Sequence, residues 1–294
     1  MADTKPKILI MTDSSAGISQ AEAAQLGIVV VPIPFTIDGT EYLEDVSITQ
    51  QDFFHKLEQG AGATTSQPSR YYLEELWREK LREYDQIIYL PITSGLSASC
   101  TNATAYAAKF NGQVLVVDTL RISAPLKIAV MEALHMAQAG KDAAAIKQHL
   151  ENSRNQFSIY ITLSTLKYLR KGGRITPAAA VLGNMLKLKP ILSTRGGNFD
   201  KFAVAMSMSQ TKKKMIAQIK HELATEFKEP YAQGKMALLV AYTQITDEAN
   251  QFRTEIEKEF PGMKVLYTDP LCLCIACHIG GGALGIGVCV CDYL

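Results

Sequence analysis

The chain has no dominant charge: 30 Lys and Arg stand against 29 Asp and Glu over 294 residues, a formal net charge of +1. With no global field it has no electrostatic draw toward nucleic acid or an anionic membrane surface. It also lacks any uninterrupted apolar run of membrane length. The first such run, Ile8–Met11, ends at Thr12-Asp13, too early for a signal h-region or a membrane span. A cytoplasmic protein with no stable membrane insertion is therefore expected. The chain contains no G-x-x-x-x-G-K-[ST] phosphate loop and no G-x-S-x-G nucleophile elbow. Internal repeats and low-complexity linkers are absent as well.

Cysteine is scarce until the end, where Cys272, Cys274, Cys277, Cys289 and Cys291 crowd the last 23 residues, with His278 beside the third. C-x-C-x-x-C-H followed by C-x-C could supply soft metal ligands. The spacing fits buried strands better. Cys272/Cys274 and Cys289/Cys291 have period 2, Leu273 and Val290 separate them, and no C-x-x-C knuckle with turn residues occurs. We expect no bound metal and no cofactor. A disulfide framework does not suit a chain of this length without an export signal.

The first half alternates strands and helices. Strands are expected at Ile8–Met11, Ile28–Phe35, Gln86–Pro91 and Gln113–Asp118. Ser19 with Glu22, and Thr49 with Asp52, open helices, and Pro68 suits the first turn of a third that runs to about Tyr84. Further helices are expected at Ser99–Phe110, Ala124–Ala139 and Asp142–Asn155. This rhythm predicts an α/β fold with a mostly parallel sheet covered on both faces. The second half reads as α+β, with strands Phe157–Thr162, Lys235–Tyr242 and Met263–Thr268. Arg195-Gly196-Gly197-Asn198 is a hairpin turn between Lys189–Thr194 and Phe199–Met208. Helices are expected at Ser164–Leu169, Pro177–Leu188, Gln210–Phe227 and Thr246–Phe260. The best single cut gives two domains, 1–156 and 157–294.

Two hydroxyl-rich loops stand out, TTSQPS at 64–69 and TSGLSAS at 93–99. Each offers more Ser and Thr than one helix cap uses. Such short, neutral donors can surround a small anionic head group without burying a permanent charge. Gly95 would let backbone N–H groups approach an anion. Asp13-Ser14-Ser15 lies at the carboxyl end of the first strand, where open α/β sheets place ligands. His278 could serve as base, donor or structural imidazole. Gly280-Gly281-Gly282 after it allows close approach of a ligand or of another segment. Lys171-Gly172-Gly173-Arg174, flanked by Lys167, Arg170, Lys187 and Lys189, is expected to form an exposed tip from which Arg174 reaches outward.

Asp13-Ser14-Ser15, TTSQPS, Ser94-Gly95-Leu96-Ser97, Asp118, Lys171-Gly172-Gly173-Arg174-Ile175, Lys189-Pro190 and His278-x-Gly occur in the order seen in the DegV family, and the chain resembles that family over nearly its whole length. The resemblance implies a two-domain protein that binds a long-chain fatty acid between its domains. It implies a carrier, with no catalytic residue of its own, serving the ATP-binding subunit of a bacterial fatty acid kinase in phospholipid metabolism. Thr64, Thr65, Ser66, Ser94, Gly95, His278 and Gly280 would then hold the fatty acid, and Arg174 would face the kinase. Neutral donors suit such a carrier, because a bidentate Arg would occupy the oxygens that a phosphoryl donor must reach. Each buried methylene adds about 0.8 kcal/mol, so a long chain offers on the order of 10 kcal/mol before ordering costs. Two alternatives remain open on the residues: a Ser94/His278 hydrolase, and a binder of a small phosphorylated metabolite.

Overall fold

The computed structural model describes residues 6–184 and 188–294. Among them the strands run, in chain order, β1 Ile8–Asp13, β2 Val29–Val31, β3 Phe35–Ile37, β4 Thr40–Tyr42, β5 Ala63–Thr65, β6 Gln86–Leu90, β7 Val114–Val116, β8 Phe157–Thr162, β9 Lys189–Thr194, β10 Asp200–Ala205, β11 Met236–Tyr242, β12 Val265–Pro270 and β13 Leu284–Val290. No described helix is long and apolar enough to cross a membrane.

The first sheet has the order β2-β1-β6-β7, with every pair parallel. Its strands are apolar on both sides, as a sheet covered twice requires. Ile10, Ile88 and Leu90 pack against helices Ser123–Gln138 and Ala143–Asn152. Leu9, Met11, Ile87 and Tyr89 pack on the opposite face with Trp77, Cys100 and Phe110. The parallel α/β half is as expected.

The second sheet has the order β10-β9-β8-β13-β11-β12 and is antiparallel except for β11–β12. Strand alternation divides β13 cleanly. Leu284, Ile286, Val288 and Val290 enter the core beneath helices Met208–Ala224 and Thr246–Glu259. Gly285, Gly287 and Cys289 occupy the other face. The expected hairpin is present, with β9 and β10 flanking its turn.

Four expectations needed correction. The strand expected at Ile28–Phe35 is two strands, because Pro32 and Pro34 remove ladder donors. Its second piece leaves to form a separate antiparallel sheet, β4-β3-β5. Pro68 precedes its helix, which spans Arg70–Lys80 behind a Ser69 N-cap that accepts from the Tyr72 N–H. Cys272–Cys277 are not on a strand. Cys274 and Cys277 lie on the helix Leu273–Ile279, and Cys272 precedes it. The five C-terminal cysteines are buried, but in three separate clusters. Of the helix expected at Pro177–Leu188, Pro177–Ala180 is α-helical and Val181–Asn184 is 3-10; residues 185–187, Lys187 among them, lie outside the described residues.

Candidate functional site

The site begins at the carboxyl ends of the parallel strands. Asp13 closes β1 and is wholly buried. Its carboxylate accepts from the Ser15 N–H at 3.0 Å and from the Ile92 N–H at 2.7 Å. It thereby ties the exit of β6 to that of β1. Ile33, Ile92 and Ile122, lying beyond β2, β6 and β7, then turn toward one cavity of about 100 Å³. This is where the order of a doubly wound sheet leaves room for a ligand.

One side of the cavity is polar. Thr65, Ser66, Gln67, Ser97, Ser99, Arg174 and His278 line it. Thr65 Oγ1 lies 2.9 Å from His278 Nε2. Ser97 Oγ and Ser99 Oγ are 2.9 Å apart, and the Ser99 N–H donates to Ser97 Oγ at 3.2 Å. His278 is brought in by the helix Leu273–Ile279, and its ring packs on Gly172, where a Cβ would lie 2.3 Å from Nδ1. That contact explains the first glycine of Lys171-Gly172-Gly173-Arg174. Burial, and secondarily the Arg174 charge, push the imidazole down to about 4, so it is neutral at pH 7.

The expected site residues divide. Thr65, Ser66 and His278 line the cavity together. Thr64 points away, exposed and paired with Thr36 by strand alternation. Ser94 is exposed, and its N–H reaches Asp118 Oδ1 at 3.3 Å. Gly95 serves packing: a Cβ there would lie 2.3 Å from the Gly196 carbonyl oxygen of the β9–β10 turn. Its N–H donates to Thr93 Oγ1 at 3.1 Å. Gly280 has φ +76, and a Cβ there would lie 2.6 Å from the Tyr168 ring. The bare backbone thus admits another segment, the second of the two readings.

Arg174 is the largest correction. It does not stand on an exposed tip. Gly173, at φ +69, turns the chain back, and Arg174 is half-buried with Nε donating to the Leu96 carbonyl at 3.1 Å. Nη1 donates to the Gly172 carbonyl. Ser97 and Ser99 were missed as wall residues although they lie in the hydroxyl-rich loop. The signal that could have found them is the loop's own density of hydroxyls, since Ser97 Oγ accepts from the Ser99 N–H in the turn that enters the helix Ser99–Ala107.

Behind the polar end is a second chamber of about 40 Å³. Ile122, Phe199, Ile275 and Ile279 line both chambers. The second is walled by the far face of the six-stranded sheet, with Ile159 and Ile161 of β8, Leu239 and Ala241 of β11, and Gly285 and Gly287 of β13. The two glycines leave that face without side chains where the chamber lies. A polar mouth leading to an apolar end fits an elongated amphiphile with an anionic or strongly polar head.

The fold and this cavity define a class: an α/β protein with a parallel and a mixed sheet and an amphipathic pocket between them. Residues 7–290 match the family described as "Uncharacterised protein, DegV family", and the chain belongs to the DegV family. A DegV domain-containing protein of Deinococcus radiodurans is 29% identical over 282 residues, covering 96% of this chain and 98% of that one. A DegV family protein from Thermus thermophilus, solved as a fatty acid binder, superposes with a TM-score of 0.85 at 29% identity, covering 97% of this chain and 99% of that one. DegV of Bacillus subtilis, described as a fatty acid binding protein, shares the fold at a TM-score of 0.83 and 23% identity, covering 97% and 99%.

The His278 environment carries a prediction. Folding binds the neutral ring, so between about pH 6.5 and pH 4 the unfolded chain holds the extra proton and acid destabilises the fold. The lowered value corresponds to about 2 kcal/mol lost by pH 5. Asp13, raised by burial to about 6, and Glu44, raised by burial to about 7, act with the opposite sign. The test is therefore a difference. Urea unfolding of the native protein and of His278→Gln should converge in relative stability as the pH falls from 7 to 5. Parallel curves would show that the imidazole is not held neutral.

Proposed function

We propose that the protein binds a long-chain fatty acid, with its carboxylate at Thr65, Ser66, Ser97, Ser99 and His278 and its acyl chain in the second chamber. The observation that carries this is a hydroxyl-lined chamber that shares Ile122, Phe199, Ile275 and Ile279 with an almost wholly apolar one behind it. Hydrogen bonds from hydroxyls to a charged oxygen contribute about 1.5–3 kcal/mol each, enough to orient the head group. The fatty-acid-binding Thermus relative supports the ligand class. Taking 1–156 and 157–294 as two domains puts this cavity between them. We further propose that the protein is a cytoplasmic carrier without catalysis of its own, presenting the carboxylate to the ATP-binding subunit of a fatty acid kinase and so feeding phospholipid metabolism. Arg174, turned toward the head group, then contributes charge beside the ligand rather than an outward anchor. The Ser94/His278 hydrolase loses support because Ser94 is exposed and the imidazole bonds to Thr65 instead. A greasy inner chamber likewise disfavours a small phosphorylated metabolite.

Denaturing extraction of purified protein followed by mass spectrometry is expected to recover long-chain fatty acid near one equivalent. Protein that emerges clean and ignores added fatty acid would refute the ligand. Phosphorylation of the loaded acid by an ATP-dependent kinase subunit tests the presentation role separately, and a loaded protein that no such kinase uses removes that role alone.

A further inference from the structure

The turn between β9 and β10, Arg195-Gly196-Gly197-Asn198, belongs to the second sheet but meets a loop of the first. Thr93 is wholly buried, and its Oγ1 donates to the Gly196 carbonyl at 2.7 Å. The same Oγ1 accepts from the Gly95 N–H at 3.1 Å, so one hydroxyl fixes two points of the loop that carries Ser97 and Ser99 into the polar chamber. From behind, the turn is held by charge. Arg195 Nη2 donates to Glu222 Oε1 at 2.9 Å and to Glu226 Oε2 at 2.7 Å. Glu222, on the helix Met208–Ala224, is nearly wholly buried. It also accepts from Tyr160 Oη at 2.6 Å and from Ser158 Oγ, both on β8.

We propose that Arg195 and Glu222 are positioning residues for the head-group site: they brace the β9–β10 turn against Thr93, and the turn holds the loop that presents Ser97 and Ser99. This rests on the fatty-acid reading. Arg195, Glu222 and Thr93 line neither chamber, so each acts only through the turn and the loop. A buried carboxylate is costly to desolvate and adds little net stability even when paired. Its use here is to fix one arrangement of the turn, because three donors from two elements converge on it.

The brace acts on the head-group end. Phe199, which follows the turn and lines both chambers, is held separately. Its N–H donates to the Arg174 carbonyl and its carbonyl accepts from the Thr176 N–H, each at 2.9 Å. Leu120 packs on the other side of Gly196 and is tied by its own N–H to Asp118 Oδ1 at 3.2 Å. Loss of the brace therefore frees Thr93 and Gly95 while the wall around the acyl chain keeps its own supports.

The test is competition of hexadecanoate and of decanoate against a fluorescent fatty acid on the full-length protein. Arg195→Met should weaken both by the same factor, about tenfold, since hydrogen bonds to the shared carboxylate are misplaced. Arg195→Lys, which keeps the charge, should recover binding to within about threefold of native. Thr93→Val leaves the charges paired and removes only the hydroxyl, so it carries the test should Arg195→Met not fold; it too should weaken both acids equally. The double variant should bind within about twofold of the weaker single one, because both changes act through one contact. Losses that add in the double variant, or that grow with chain length, overturn the positioning role and leave the fatty-acid reading standing. Native affinity in a folded Arg195→Met or Thr93→Val protein does the same. If the native protein binds neither acid, both proposals fall.

Discussion

A protein carrying Ala241→Phe is expected to lose long-chain fatty acids while keeping short ones. Ala241 lies on β11 directly opposite Gly285 of β13, and both line the inner chamber. A phenyl ring there fills a space of about 40 Å³ and leaves the hydroxyl-lined mouth untouched. If roughly two methylenes are displaced at about 0.8 kcal/mol each, the loss is about 1.6 kcal/mol, or more than about 10-fold in affinity. Decanoate, whose chain ends short of the obstruction, should bind within about threefold of its native affinity. Competition against a fluorescent fatty acid measures both, and a urea midpoint checks that the sheet tolerates the ring. Undiminished hexadecanoate binding in a stable variant would show that the tail lies elsewhere.

The inner chamber was not legible in the sequence, and the reason is physical. Its wall comes from β8, β11 and β13, brought side by side by pairings between segments far apart in the chain. Alternation shows that Gly285 and Gly287 share one face, but not that a cavity faces them. The parallel half was legible because its signals are local. Ser19 and Thr49 cap the helices they were expected to cap, and apolar runs such as Ile87–Leu90 give a strand buried on both faces. Failures came where a residue's partner is remote. Gly95 was assigned to an anion, yet it answers to Gly196. Arg174 was assigned to the outside, yet the Leu96 carbonyl holds it inward. The cysteine spacing misled for another reason: C-x-C has strand period, but Leu273–Ile279 is apolar nearly throughout, and a helix buried at every residue but His278 leaves no alternation to read.

Glu132→Ala is expected to cost about 3–5 kcal/mol, the penalty for leaving a buried charge without its partner. Arg121 is wholly buried and Glu132 nearly so, with Nη1 and Oε2 3.6 Å apart. Arg121 Nη2 donates to the Ser153 carbonyl at 3.0 Å, and the Asp292 N–H donates to Glu132 Oε1 at 3.2 Å. The pair thus ties two helices of the first half to the end of the chain. Glu132, His149 and Asp292 also bring potential metal-ligating atoms within 4.8 Å of one another, but Arg121 and Lys235 already face the two carboxylates, which opposes a cation. Burial outweighs the Arg121 charge and holds the Glu132 carboxyl above its usual range, so the ion pair does not fully offset its own desolvation. Arg121→Met with Glu132→Leu should therefore recover most of the stability that Glu132→Ala loses. Recovery of stability need not recover the site. Ile122, which lines both chambers, is held between Leu120 and Ser123, whose φ values are +53 and +56. Such backbone costs on the order of 1–3 kcal/mol per residue and persists only where the surroundings impose it. Without the guanidinium anchored on Ser153, that segment can relax, and the double variant should fold yet bind fatty acid more weakly. Urea unfolding and fatty acid affinity, measured on native, single and double variants, separate the two roles. A Glu132→Ala protein within 1 kcal/mol of native stability, on the order expected of a surface pair, would show that the buried pair is no clamp.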